Sequence, residues 1–321
     1  MKWMSASFCA LTVLGLSALS LVQEAHSEPP QSPATSSAPA AAPQPARLNE
    51  SYPGLASGGL TFARLADLPE GTVLKAGELT IVEKEVADEI AKAPKEVQDQ
   101  LKKNAFFLLE QMATGGILRS AAKAEAGKDA PADQRQLIQG YLKGVVANIK
   151  VTDAEVADFY RGNQDMFGGA SLDKVKTELS QYLLRQKQQE AVNRHIETLG
   201  QRMPIEVSDA WAKEQAVLAS DNPVGKARAS GKPSLVDFGS KGCRPCDMLA
   251  PILETLKTKY EGKANVLFVS VREEQILAAR YGIQSIPVQI FFDKDGKEVL
   301  RHVGFWPQEE IEKQMAKLGA K

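Results

Sequence analysis

Two cysteines lie one helical turn apart in the segment Cys243-Arg244-Pro245-Cys246, and this spacing is the clearest sign of chemistry in the chain. They follow Leu235-Val236-Asp237-Phe238, an apolar run that predicts a buried strand. Two thiols placed just after such a strand can cycle between a dithiol and a disulfide. The spacing therefore predicts a redox-active pair.

Two other interpretations of the motif are half of a zinc site and a structural disulfide. Zinc needs two further ligands near by, but the third cysteine is Cys9 and the three histidines show no ligand spacing. A structural bridge is not favoured either, because so short a loop removes little chain entropy. We expect neither a metal nor any cofactor other than the Cys243–Cys246 disulfide itself.

The amino-terminal segment indicates export. Lys2 precedes an uncharged stretch from Trp3 to Gln23, and Ala25-His26-Ser27 offers the small residues that a signal peptidase needs. Residues 1–27 are predicted to be a signal peptide, which places the protein in the periplasm or another exported location. An uncleaved membrane anchor is the alternative.

Cleavage after Ser27 would remove Cys9 and leave Cys243 and Cys246 as the only cysteines. An exported protein with one cysteine pair has no other disulfide to form. We therefore expect that pair to be catalytic.

The composition divides the rest of the chain into a linker and two domains. Residues 28–60 are rich in Pro, Ala, Ser and Gly, which predicts a disordered linker. Residues 61–321 exceed the usual size of one hydrophobic core. We expect an α+β multidomain protein, with an all-α module over 61–219 and an α/β domain over 220–321. The net charge of −1, with both signs interspersed, argues against nucleic-acid binding.

Periodicity predicts the elements of both domains. In the first domain, the predicted helices cover 82–91, 95–125, 132–149, 152–162 and 171–201, and Gly115-Gly116 is expected to loosen the second. Thr152-Asp153-Ala154-Glu155 is a capping-box pattern at the start of the fourth. In the second domain, strands are predicted over 234–238, 265–271, 288–292 and 298–303, and helices over 246–260, 274–281 and 307–317. A turn at Asp293-Lys294-Asp295-Gly296 joins the last two strands.

Residues from about 220 to 319 resemble a thioredoxin domain in the order and spacing of their motifs. These motifs are Val236-Asp237-Phe238, Cys243-Arg244-Pro245-Cys246, Met248-Leu249-Ala250-Pro251, Tyr281-Gly282-Ile283, Ile286-Pro287 and Val303-Gly304. The resemblance implies that Cys243, at the start of a helix whose dipole favours its thiolate, is the nucleophile. Cys246 would resolve the mixed disulfide. Asp237, buried and protonated, would exchange a proton with Cys246.

The same resemblance implies a substrate groove beside the thiols. Pro287 would be the family's cis-proline, which leaves neighbouring backbone groups free to pair with a bound peptide. Ile286, Gly304, Arg244 and Pro245 would border the bound substrate. Ile286 before the proline and Pro245 before the second cysteine are typical of reducing members.

The chain departs from the thioredoxin pattern in several places. The two tryptophans around the motif correspond to Gly239 and Gly242, and the lysine after the second cysteine corresponds to Asp247. The lysine expected beside the buried aspartate is replaced within Leu267-Phe268-Val269. Since these charges influence the thiol pKa, the sequence leaves the reduction potential open.

Residues 72 to 206 are similar to the SurA/PrsA class of exported chaperones. The resemblance is carried by Lys75-Ala76-Gly77-Glu78-Leu79-Thr80, by Val151–Val156 with Phe159-Tyr160, and by Ser171-Leu172 with Val175-Lys176. The class often inserts a parvulin prolyl isomerase, but Phe167–Ser171 passes directly onward, so no isomerase activity is expected. The resemblance implies a cradle for unfolded polypeptide. A helical spacer or a dimerisation arm is the alternative.

These features predict an exported thiol-disulfide oxidoreductase, with reduction favoured, whose helical module binds or positions protein clients. Its expected partners are protein thiol or disulfide substrates, unfolded polypeptides, a membrane electron donor of the DsbD/CcdA type and, in a homodimer, a second copy of the chain. Two alternatives stay open. One is a chaperone whose thioredoxin domain is a peptide-binding platform, and the other is a disulfide oxidase or isomerase.

Overall fold

The computed structural model describes residues 45–162, 167 and 169–320. The predicted signal peptide, Cys9 and residues 28–44 lie outside these ranges. Within them the chain folds into two modules, each built on a four-stranded sheet. No helix among the described residues is long and apolar enough to cross a membrane.

The amino-terminal module combines eight α-helices with one small sheet. In chain order its elements are α1 (Leu48–Ser51), a 3₁₀ helix (Gly58–Phe62), β1 (Arg64–Ala66), β2 (Thr72–Ala76), β3 (Leu79–Val82), α2 (Glu83–Lys92), α3 (Lys95–Lys103), α4 (Ala105–Ala126), a 3₁₀ turn (Gly127–Asp129), α5 (Gln134–Val146), α6 (Asp153–Gly162), α7 (Leu172–Arg202), β4 (Ile205–Ser208) and α8 (Asp209–Ser220). The predicted capping box is confirmed, because the side chains and backbone of Thr152 and Glu155 bond reciprocally.

The prediction of an all-α module is wrong. Its sheet has the order β1-β4-β2-β3, with β4 parallel to β1 and antiparallel to β2. Strand β4 alternates buried Ile205 and Val207 with more exposed residues, but it is only four residues long. Periodicity does not predict a strand this short between two long helices, because its pairing partners lie far away in the sequence.

The disordered linker predicted over 28–60 is wrong for the part that the structure describes. Leu48, Leu55 and Leu60 are all buried in the core of the amino-terminal module. The 3₁₀ helix Gly58–Phe62, which contains Leu60, lies so close to α7 that a Cβ on Gly200 would stand 2.4 Å from the carbonyl oxygen of Gly59. Three well-placed leucines therefore dock a segment whose overall composition is typical of a linker.

The helix predicted over 95–125 is interrupted at Asn104, well before the Gly115-Gly116 pair that was expected to loosen it. Asn104 separates α3 from α4 with φ −124° and ψ 34°, and its side-chain amide donates to the carbonyl oxygen of Gln100 at 2.8 Å. Gly116 instead lets α4 approach β3, since a Cβ there would lie 2.6 Å from a methyl group of Leu79. The glycine serves close packing and α4 continues through it.

The carboxy-terminal module has the mixed sheet predicted for it. Its elements are α9 (Pro223–Arg228), β5 (Ser234–Gly239), α10 (Arg244–Lys259), β6 (Asn265–Ser270), α11 (Gln275–Arg280), β7 (Val288–Phe292), β8 (Glu298–Val303) and α12 (Gln308–Lys317). The sheet order is β6-β5-β7-β8, with β5 and β6 parallel and the other pairs antiparallel. The turn between β7 and β8 is confirmed: the Asp293 carboxylate accepts from the backbone N–H groups of Asp295 and Lys297.

The two modules are joined through α3 and α11. The side-chain amide of Gln100 donates to the carbonyl oxygen of Glu273 at 2.6 Å and accepts from the backbone N–H of Ile276 at 3.1 Å. Arg280, at the end of α11, donates to the carbonyl oxygens of Ala219 at 2.6 Å and Gly54 at 3.1 Å. These bonds hold α11 of the carboxy-terminal module against the amino-terminal module.

Candidate redox site

The two cysteines form a disulfide at the amino-terminal end of α10. Cys243 is the residue that caps the helix and is partly exposed, whereas Cys246 lies in the first turn and is only 5% exposed. The positive end of the helix dipole favours a thiolate at this position. Because Cys243 is the accessible sulfur and Cys246 the covered one, the burial supports the roles of nucleophile and resolving thiol that the resemblance implies.

Charged side chains surround the start of α10 on the solvent side. Lys241, Arg244 and Asp247 are all exposed. Asp247 turns back towards the loop, where its carboxylate accepts from the backbone N–H of Gly242 at 3.4 Å. Gly242 has a φ of +80°, a conformation that a tryptophan at this position would adopt only with strain. This is a physical reason for glycine at one of the two positions where the family carries tryptophan.

Asp237 lies at the centre of the sheet, behind Cys246. It is fully buried in β5, and burial raises its pKa to about 7, partly offset by a hydrogen bond from Gln289. That bond joins the Gln289 amide nitrogen to Oδ1 at 2.8 Å, and Oδ2 has no partner among the described residues. A Cβ on Gly239 would touch both Oδ2, at 3.3 Å, and the Cβ of Cys246, at 3.5 Å. The free carboxyl oxygen and Cys246 therefore border the same small space.

Gln289 is the site residue that the sequence analysis missed. It is fully buried on β7, directly opposite Asp237 in the antiparallel register. The chain has no lysine beside the aspartate, and this neutral amide donor takes up one carboxyl oxygen instead. The signal was present, because Gln289 is the only polar residue in the run Val288-Gln289-Ile290-Phe291-Phe292. A buried amide in an apolar strand needs a polar partner.

Phe268 explains the other missing tryptophan. It pairs with Asp237 in the register of β5 and β6, and its ring covers Gly239, where an added Cβ would lie 2.8 Å from the ring. The ring is 49% exposed and shields the space beside Asp237 from one side. An aromatic ring supplied from β6 thus occupies the room that a side chain at position 239 would take.

The loop before β7 faces Cys243. The Ile286–Pro287 peptide bond is cis, and the carbonyl oxygen of Ile286 lies 4.0 Å from the Cys243 sulfur. Gly304, with a φ of +102°, donates from its backbone N–H to the carbonyl oxygen of Pro287 at 2.8 Å. The structure therefore places Ile286, Pro287 and Gly304 together on the side of the cysteine pair from which a substrate would approach.

The remaining two predicted site residues lie in the motif itself. Pro245 is in the first turn of α10, where its missing N–H costs the helix nothing, and the exposed Arg244 precedes it. Across the described residues no group of three or more His, Cys, Asp or Glu side chains is arranged to hold a metal ion.

Comparison with known proteins agrees with this geometry. A family model described as a thioredoxin-like domain matches residues 221–319. The thioredoxin of Staphylococcus aureus is 49% identical over 77 residues, which make up 24% of this chain and 73% of that protein. Among solved structures, chloroplastic thioredoxin z is 30% identical in sequence, and the match covers 30% of this chain and 86% of the thioredoxin z chain, with a TM-score of 0.28. For thioredoxin NaTrxh from Nicotiana alata the identity is 30%, and the match covers 29% of this chain and 79% of the NaTrxh chain, with a TM-score of 0.27.

The fold, the cysteine pair and the cis-proline loop define a thiol-disulfide oxidoreductase domain. The chain belongs to the thioredoxin family, through its carboxy-terminal module. Proteins of this family act on the thiols and disulfides of other proteins. The comparisons match only the carboxy-terminal module, so the resemblance of residues 72 to 206 to the SurA/PrsA chaperones stays a prediction.

Proposed function

We propose that the protein is an exported protein-disulfide reductase whose helical module positions its protein substrates. The observation that carries the redox part is the asymmetry of the cysteine pair. Cys243 faces the cis-proline loop, while Cys246 is covered and borders the free oxygen of Asp237. An exposed attacking thiol and a buried resolving thiol with its own base are what a two-step thiol exchange needs.

The reaction begins from the dithiol. The Cys243 thiolate attacks one sulfur of a substrate disulfide, the second substrate sulfur leaves as a thiolate that takes a proton, and a mixed disulfide forms. Because its pKa is about 7, Asp237 is partly ionised near neutral pH, and its carboxylate then accepts the proton of Cys246. The Cys246 thiolate attacks the Cys243 sulfur, the bond to the first substrate sulfur breaks, and that sulfur leaves as a thiolate that takes a proton from solvent. Two electrons have passed to the substrate, and the Cys243–Cys246 disulfide remains. No further cofactor takes part in this scheme.

An exported reductase needs a source of electrons outside the cytosol. We propose a membrane dithiol carrier of the DsbD/CcdA type, which would reduce the Cys243–Cys246 disulfide by the reverse exchange. The direction of electron flow is set by the reduction potential, which equilibration with glutathione measures. A value near about −270 mV supports the reductase, and a value near about −120 mV would make the protein an oxidase.

Replacing Cys243 with serine tests the enzymatic part of the proposal. We expect the wild-type protein to accelerate the reduction of insulin by dithiothreitol, and Cys243→Ser to reduce that rate to the level of dithiothreitol alone. Serine is close to cysteine in size and keeps the capping position of α10 filled, so the fold should be retained. Equal activity in the two proteins, or none in either, would contradict a Cys243-dependent oxidoreductase.

The proposed export predicts the first residue of the mature chain. If the signal peptide is cleaved after Ser27, amino-terminal sequencing of the protein purified from its native compartment should begin at Glu28. A chain that keeps Met1 and fractionates with the membrane would indicate the uncleaved anchor. One that keeps Met1 in the cytosol would contradict export.

A further inference from the structure

A cleft of about 790 Å³ lies between the helical module and the redox domain. One wall is formed by α5 and α7, and the other by the segment that leads into β7 together with β8. Its volume is within the range of sites that hold ligands or peptide side chains. The thioredoxin resemblance does not account for this cleft, because most of its lining residues belong to the other module.

The cleft lies beside the cis-proline loop. Gln284 and Ser285 line it, and Ser285 is followed directly by Ile286, whose carbonyl oxygen lies 4.0 Å from the Cys243 sulfur. Val288, which follows the cis-proline, and Val303, which precedes Gly304, also line the cleft. A chain bound along the cis-proline loop would therefore pass into this cleft on one side of the disulfide under attack.

The walls suit an extended polypeptide. Apolar side chains from both modules face the cleft: Leu142, Val146, Tyr182, Val192, Val288 and Val303. Amide side chains stand among them on both walls, including Gln139, Gln189 and Gln284. An extended chain presents alternating side chains and unpaired backbone N–H and C=O groups, which such apolar and amide surfaces can receive.

The charges of the lining favour acidic partners. Lys143, Arg185 and Arg301 contribute three cationic groups, against the single carboxylate of Glu190. Arg301 is already engaged with Glu298, at 2.9 Å and 3.0 Å, and lies at the redox-domain wall. Lys143 on α5 and Arg185 on α7 are exposed at the opposite wall, where they would meet a bound chain first.

The contacts between the modules described above join the two sides of the cleft. Arg280 and Gln100 bind α11 to the amino-terminal module, and the chain runs from Arg280 through only a few residues to Gln284 and Ser285. The wall next to the cis-proline is thus anchored to the module that supplies the opposite wall. A preformed cleft reduces the ordering cost of binding an extended chain.

We propose that this cleft binds an extended segment of the protein substrate, with apolar and acidic side chains, that flanks the disulfide delivered to Cys243. This inference rests on the proposed function and adds a substrate class to it. The helical module then selects which disulfides are reduced, while the cysteine pair performs the same exchange on all of them.

The test compares a charge-reversal variant with wild type on three substrates. Lys143→Glu combined with Arg185→Glu changes exposed residues only, and Lys128→Glu combined with Lys150→Glu is the matched control on the same module, outside the cleft. The substrates are a disulfide peptide extended by an apolar and acidic segment, the same peptide with a basic segment, and hydroxyethyl disulfide.

We expect the cleft variant to lower kcat/KM for the acidic peptide by about tenfold, to raise it for the basic peptide, and to leave hydroxyethyl disulfide unchanged. The control variant should resemble wild type on all three. Equal kcat/KM of wild type and the cleft variant for both peptides would overturn the cleft proposal while leaving the reductase intact. Failure of wild type to reduce even hydroxyethyl disulfide would overturn the reductase instead.

Two other occupants would be recognised in the same preparation. A change of the cleft variant's oligomeric state in sedimentation, with unchanged peptide kinetics, would assign the cleft to a second copy of the chain. Faster proteolysis of residues 28–44 in the cleft variant, again with unchanged kinetics, would assign it to the amino-terminal segment. Either result would overturn the proposal.

Discussion

Replacing Cys246 with serine is expected to stop turnover after the first chemical step. Cys243 in this variant still attacks a substrate disulfide, but no second thiol can release the product, so the mixed disulfide accumulates. The measurement is intact-mass analysis after mixing the reduced variant with a disulfide peptide, together with insulin turnover. We expect one peptide bound per chain and a turnover rate equal to that of dithiothreitol alone.

The structure explains why this covalent complex should persist. Position 246 is only 5% exposed and lies behind Cys243, so outside thiols reach the mixed disulfide from the groove side only. Cys243→Ser is the matched control, since it leaves the buried thiol and removes the accessible one. Accumulation of the adduct in Cys243→Ser but not in Cys246→Ser would reverse the two roles.

The carboxy-terminal module could be predicted closely from the sequence because its signals are local. The strands at Ser234–Gly239 and Val288–Phe292 are short apolar runs, and the turn at Asp293–Gly296 has the residues that a tight turn requires. The redox motif and cis-proline were identified by order and spacing. Each of these features can be recognised within a few residues.

What could not be predicted depends on contacts between distant residues. Strand β4 becomes a strand only by pairing with β1 and β2, and Leu48 is buried in a core that it shares with distant residues such as Leu109 and Val207. Gln289 supports the site only through the register that places it opposite Asp237. Periodicity and composition describe one segment at a time, so none of these pairings was visible to them.

The cleft between the modules belongs to the same class of features. Its two walls are separated by about 100 residues of sequence and meet because Arg280 and Gln100 join α11 to the amino-terminal module. The resemblance to exported chaperones implies a cradle within the helices, whereas the cleft is lined by residues of both modules.

Asp237 is the proposed proton acceptor for Cys246, and replacing it with asparagine should raise the stability of the oxidised protein at neutral and alkaline pH. The pKa of Asp237 is raised from 3.8 to about 7, mainly by burial. Between these two values the folded protein holds a proton that the unfolded chain has lost, so stability falls as pH rises through this window. Asparagine resembles the protonated acid and has no such cost.

The expected gain in the free energy of unfolding is close to zero below pH 4 and approaches roughly 4 kcal/mol well above pH 7. Urea unfolding of wild type and Asp237→Asn across this range measures it. Glu110, whose pKa burial also raises to about 7, contributes equally to both proteins and cancels in the difference. Asp295→Asn, at an exposed turn, is the control for the chemical change itself.

Gln289→Met sharpens the test, because methionine fills a similar volume without a donor. The bond from Gln289 lowers the Asp237 pKa, so its loss should raise that pKa further and extend the window of falling stability to higher pH. A pH-independent difference between wild type and Asp237→Asn would mean that Asp237 titrates normally. Asp237 would then lack the raised pKa that suits it to accept the Cys246 proton. The expected pH dependence would instead show that burying the Asp237 carboxyl group lowers the stability of the fold above pH 7.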